Sequence, residues 1–452
     1  MEVFSESLAY AQMKKRSVSA RSFRVKVPPT NGTSFKAGST IQLDLAGNLS
    51  GQYYDFSSMY LKVNVKNATE AFVLDRCGAL GFIKRLQIST AGAQLCDINN
   101  WNVLATAMLD TDASAEWKAG YGAVLLGTEG DALRGVAQGS TAERIYCIPL
   151  VLNPMFNTTP HRLIPAFSLS SIQIRLTLDS IAAAVVSATG APDPTFQDVE
   201  LVCMMTELSP SAQGQVDAAT GGRYNILASS FMNSGATLAA SAGSTQLTAN
   251  LGFSVSSLER IIAVHRPSIS IATATKFSLG NRTTAGLTQF QYLINAESYP
   301  ARPVVVDANG AESTAEMLIA DHSLVDFKKG SCFNNGVVLG VLAGTAVGAL
   351  SGINPGVVKS ACFVEKTALG TTAGTGIAAS DIGTYLIATD FENGLSVGKS
   401  ATIYSGISTI ASNVQWLGQY SAPADTAVDF FAQFSVLMSL DMRGAGVWSI
   451  SV

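Results

Sequence analysis

A chain of 452 residues is too long for one ordinary hydrophobic core, since single cores stop growing near about 250 to 300 residues, and its length suits two large domains. Lys and Arg number 29 against 33 Asp and Glu, a balance that excludes a chain built throughout to coat nucleic acid. Charged residues are only 14% of the chain, below the roughly 25% usual in soluble domains, while the apolar share of 47% is ordinary. The surface is therefore left to Gly, Ala, Ser and Thr, which suits tiling against other copies better than solvation.

In chain order, the first feature is a local basic excess. Lys14, Lys15, Arg16, Arg21, Arg24 and Lys26 oppose only Glu2 and Glu6. Residues 1–22 are either a basic arm that reaches a polyanion or a neighbouring subunit, or a solvated leader ahead of the first strand. The N-terminus lacks a basic stretch followed by an apolar one, so no secretion signal is expected, and the Asn-x-Ser/Thr triplets at Asn31, Asn48, Asn67, Asn157 and Asn281 read as chance matches.

Strand periodicity follows almost everywhere. Phe23, Val25 and Val27 alternate with Arg24 and Lys26; Ile41, Leu43 and Leu45 with Gln42 and Asp44; Leu61, Val63 and Val65 with Lys62, Asn64 and Lys66. The beat returns at Ile172, Ile174, Leu176 and Leu178, and a more continuous apolar run spans Val199 to Met205. Two short helices interrupt the pattern, over Asp97 to Leu109 and over Glu312 to Leu324, each partway through one half of the chain. Ser209 to Tyr224, polar and Gly-rich, reads as a strand-poor connection. With no alternating βαβ rhythm, the predicted class is all-β: one sandwich over 23–210, a linker over 211–223 and a second sandwich over 224–452. Each sandwich is expected to hold about eight strands, with a helix in a long connection. Gly336 to Gly352 places Gly at every fourth position, like packed membrane helices, but holds few large apolar residues and reads as a strand pair or loop.

The search for chemistry yields no cofactor, metal or catalytic residue. Gly394-Leu-Ser-Val-Gly398-Lys399-Ser400 has three residues between its glycines where a phosphate loop needs four, and a β-like segment follows it. The three histidines, His161, His265 and His322, are separated from one another and from every cysteine. Cys77, Cys96, Cys147, Cys203, Cys332 and Cys362 are scattered singly and read as small buried hydrophobes in a reducing compartment.

Phe23-Arg-Val-Lys-Val-Pro-Pro, Ser58-Met-Tyr-Leu-Lys-Val-Asn-Val and Ile83-Lys-Arg-Leu-Gln-Ile-Ser-Thr, through to Trp101-Asn-Val-Leu, together resemble the first jelly roll of major capsid proteins from Polinton-like viruses, virophages and related double-stranded DNA viruses. Arg266-Pro267, Tyr292 to Pro303, Tyr385-Leu-Ile-Ala-Thr-Asp-Phe-Glu and Ser405-Gly-Ile-Ser-Thr continue the resemblance through the second half. The resemblance implies a double jelly roll standing perpendicular to a shell. Three copies would form a pseudo-hexameric capsomer of an icosahedral virion, with penton and minor capsid proteins as further partners and no active site. Such a subunit is made in the host cytoplasm or nucleus and is not secreted. Lys14, Lys15, Arg16 and Arg21 would then face the particle interior, towards genome DNA, an internal membrane or a minor protein. Two rivals are a carbohydrate-binding or adhesive β-sandwich, which would normally be secreted and carry aromatic platforms, and a cupin-type enzyme, which needs clustered His and carboxylate ligands.

Overall fold

A computed structural model describes residues 20–452 apart from 48, 50, 68, 76, 91–92, 129–134, 137–142, 159–161, 167–170, 188–191, 273–276, 307–310, 321–382, 393–405, 442–447 and 452. Alternating apolar residues place the strands. In the first half, β1 (Ala20–Val27), β13 (Pro194–Leu208) and β4 (Gln52–Asn67) lie side by side in that order. β9 (Glu143–Pro149) and β10 (Ile164–Pro165) pair with β4, and β2 (Ser34–Lys36) pairs with β13. The facing sheet runs β3 (Thr40–Ala46), β11 (Ser171–Leu178), β6 (Ile83–Thr90), β7 (Ala93–Ile98). A small third sheet joins β12 (Val185–Ser187), β5 (Phe72–Leu74) and β8 (Gly135–Val136).

The second half repeats the plan. β14 (Arg223–Leu238), β23 (Thr426–Asp441), β16 (Leu258–Pro267) and β21 (Ile387–Asp390) form one sheet, with β24 (Trp448–Ser451) also on β23. β15 (Ser244–Asn250), β22 (Val414–Ser421), β18 (Leu287–Ile294) and β19 (Glu297–Val305) form the other. β17 (Asn281–Arg282) and β20 (Gly383–Thr384) pair in parallel. Counting only the eight principal strands of each half, both halves give sheets of order 1-8-3-6 and 2-7-4-5. Such doubled Greek keys in two facing antiparallel sheets make a jelly roll, so the chain is a double jelly roll, as its periodicity and resemblance predict.

Two helices occupy equivalent places. α1 (Trp101–Asp112) follows the fifth strand of the first sandwich, and a helix over Ala311–Ala320 follows the fifth strand of the second. α1 starts four residues later than the sequence predicts, because Asp97 stays in β7 to meet Arg85 and Asn100 takes a left-handed φ of 49°. Between the sandwiches the sequence predicts an irregular connection, and the structure has α2 (Pro210–Thr220) there. Ser209 caps it by accepting from the Ala212 amide, Pro210 opens it, and Gly221 ends it at φ 61°. The later helix is α3.

Each sandwich has an aromatic centre. In the first, Phe82 meets Phe196 edge-on with centroids 4.9 Å apart. In the second, Trp416 is fully buried, stacked on Phe290 at 5.2 Å and crossed by Tyr292 at 5.0 Å. Gly418, two residues on in β22, is required because a Cβ there would strike the Trp416 and Tyr420 side chains.

Candidate functional site

Among the described residues, no group of three or more His, Cys, Asp or Glu residues could hold a metal ion, and no helix is long and apolar enough to cross a membrane. Burial pushes the Cys77 and Cys203 thiols up to about 12, so both stay protonated and are poor nucleophiles. Burial lowers His265 to about 3, and its neutral ring shares a 2.8 Å hydrogen bond with the Tyr420 hydroxyl. His161, His322, Cys332, Cys362, Gly336 to Gly352 and Gly394 to Ser400 lie outside the described residues.

The polar chemistry is instead concentrated where the two sandwiches meet. Asp75, 1% exposed, accepts from three consecutive backbone amides of the other half: Ser278 (3.0 Å), Leu279 (2.7 Å) and Gly280 (2.9 Å). Asp110, near the end of α1, joins Lys118 of its own half at 3.0 Å and Arg282 of the other half. Asp429 in β23 holds Arg266 of β16 at 2.8 Å and accepts from the Asn100 side chain at 2.7 Å, just ahead of α1. Burying a carboxylate is costly unless it is bonded this closely, so the three acids, each with a bond that crosses from one half to the other, tie the halves together. Around them, β7 packs on β14 and β24, and Arg260 of β16 donates to the Met108 sulfur of α1. The outer face of the second sandwich's larger sheet is thereby covered.

The sequence does contain a signal for these residues. Asp429 and the His265-Arg266 pair are polar residues inside apolar runs, and such residues need partners from elsewhere in the fold. What one sequence cannot supply is which partner, because Asp75 finds its own 203 residues away.

Of the predicted inner-surface residues, Lys14, Lys15 and Arg16 lie outside the described residues. Arg21 sits in β1, which starts at Ala20, and its guanidinium reaches Glu207 on β13 at 2.6 Å and lies over the Phe23 ring at 5.5 Å. Arg21 therefore borders the sheet. Along the same sheet Lys26 and Lys62 share Glu200 at 3.1 and 3.5 Å, and the Lys26 bond is foremost in holding that carboxyl below the usual carboxylate range. Lys66 and the Asn64 amide likewise flank Glu143 at 3.3 and 3.1 Å.

Two jelly rolls in tandem, joined by buried carboxylates, define a double jelly-roll fold. Solved structures show the same architecture at low sequence identity. The chain is similar to VP54 of PBCV-1, as fitted into a reconstruction of the virophage Sputnik, with 10% identity, a TM-score of 0.60, and coverage of 97% of this chain and 98% of that one. A quasi-atomic model of the PBCV-1 virus capsid matches with a TM-score of 0.61, 10% identity and the same coverage. The Faustovirus major capsid protein matches with a TM-score of 0.53 and 9% identity over 94% of this chain and 91% of that one. No family model matches, and no curated protein matches the sequence.

Proposed function

We propose that this chain is a major capsid protein, a non-enzymatic subunit that assembles with copies of itself into an icosahedral viral shell. The observation that carries the reading is the repetition of one eight-stranded order in two tandem sandwiches, shared in overall fold with capsid structures over nearly the whole chain. The low charge supports it, because a subunit buried among copies needs little solvating surface. In this reading 23–210 and 224–452 are the two structural units, 211–223 joins them, and three chains form a pseudo-hexameric capsomer. Penton and minor capsid proteins complete the virion, and residues 1–22, with Lys14, Lys15, Arg16 and Arg21, face inward towards genome DNA, a membrane or a minor protein.

Negative-stain imaging of the protein expressed alone tests the reading. Capsomers with a threefold, six-sided outline, or closed shells, are expected. A field of single particles the size of one chain at micromolar concentration would contradict it.

A further inference from the structure

Between α1 and the stretch that follows β9 lies a cavity of about 560 Å³, inside the range of roughly 300 to 1,000 Å³ that suits small-molecule ligands. Leu80 and Leu126 line it as buried residues, whereas Met108, Leu109, Trp117 and Phe156 line it only half-buried. Four large apolar side chains left partly wet around one concavity differ from apolar residues scattered singly over a surface, and covering them is favourable.

The charge at this place has one sign. Among the described lining residues Asp112 alone is charged, and it is exposed, as is Ser114 beside it, so the carboxylate stands at the mouth. Asp112 is also the last residue of α1, a helix with no basic residue in its last turn. The partial negative charge of the helix C-terminus and the carboxylate therefore add there, and both favour a cation. The neighbouring cations are engaged elsewhere. Lys118 is buried against Asp110 at 3.0 Å, and Arg260, which touches Met108, donates to Gln433 at 2.6 Å and to the Ala320 carbonyl at 3.2 Å.

We propose that this cavity binds a single-chain amphiphile with a cationic head, a long-chain alkylammonium, its chain among Leu80, Leu126, Trp117 and Phe156 and its head at Asp112. Apolar contact supplies the affinity, and the negative end of α1 selects the head. The inference does not rest on the capsid reading, and its failure would leave that reading untouched.

Calorimetric titration of the full-length chain with dodecylammonium, dodecanol and dodecanoate, each kept below the concentration at which it aggregates, tests the proposal. Dodecylammonium is expected to saturate one site and to bind about tenfold tighter than dodecanol at low salt, a preference that added salt reduces. Asp112→Asn should remove most of that preference while leaving dodecanol binding as in wild type. Ala113→Trp, which adds an indole to the lining, should abolish binding of dodecylammonium and dodecanol alike. Circular dichroism and thermal melting verify that each variant folds as wild type does. The proposal is overturned by the lack of a saturable site, by equal affinity for dodecylammonium and dodecanol, or by tighter binding of dodecanoate. A preference unchanged in Asp112→Asn, or wild-type binding in folded Ala113→Trp, overturns it equally. Should Ala113→Trp fail to fold, the Asp112→Asn comparison decides alone.

Discussion

At the scale of single residues, burial decides which charges matter. Arg266 and Asp429 are each 7% exposed, so removing one leaves a desolvated charge, a change that typically costs about 3 to 5 kcal/mol. Asp429→Ala also strips the Asn100 amide of its partner, and its unfolding free energy from urea titration should fall by that amount, read as a lower midpoint at an unchanged slope. Arg21→Ala breaks an ion pair whose arginine is 74% exposed, and the same measurement should register less than about 1 kcal/mol. His265 gives the fold a pH dependence. Its unfolded value is 6.5 and burial lowers the folded one to about 3, so as pH falls below 6.5 the unfolded chain binds a proton that the folded chain refuses. Stability from this residue is complete above 6.5 and is lost progressively towards pH 3, by on the order of a few kcal/mol. Chemical denaturation between about pH 7 and about pH 4 should show a steeper loss for wild type than for His265→Phe, which is less stable at neutral pH but carries no titrating ring.

At the scale of elements, legibility follows the number of wet faces. β3 and β11 keep one face half exposed, and their two-residue beat is plain in Ile41 to Leu45 and Ile172 to Leu178. β23 is covered on both sides, so Asp429-Phe-Phe-Ala-Gln-Phe shows no alternation, and its partner β16 reads equally ambiguously through Ile261 to His265. α2 was legible in principle. Ser209-Pro210 at its start and Gly221 at its end are helix punctuation, but its interior has no buried residue and hence no apolar stripe to mark it. Such a helix depends on its caps and on the bonds of Gln213 to Tyr53 and of Asp217 to Tyr224. Ser209→Ala should therefore cost about 1 kcal/mol, read as faster amide exchange confined to residues 212–220 while the sheets keep their protection. The seam acids were the least legible part of the site, because the bonds of Asp75 to the 278–280 amides, of Asp110 to Arg282 and of Asp429 to Asn100 cross from one half to the other and form only when two finished sandwiches pack.

At the scale of the whole molecule, the fold is a duplicated plan with an internal joint. The basic N-terminal residues belong to this scale. Replacing Lys14, Lys15, Arg16 and Arg21 with Ser breaks one exposed ion pair among the described residues, so capsomers should form as in wild type while closed particles become fewer and more salt-sensitive, as counted by electron microscopy across a salt series. The claim on which everything else depends is self-association through large, permanent interfaces, which typically bury more than about 2,000 Å² and survive dilution. Sedimentation equilibrium of the purified full-length chain at micromolar concentration and physiological salt tests it directly. The expected result is a stable species of three 47.2 kDa chains, or larger assemblies made of that unit; a single species of 47.2 kDa would contradict it.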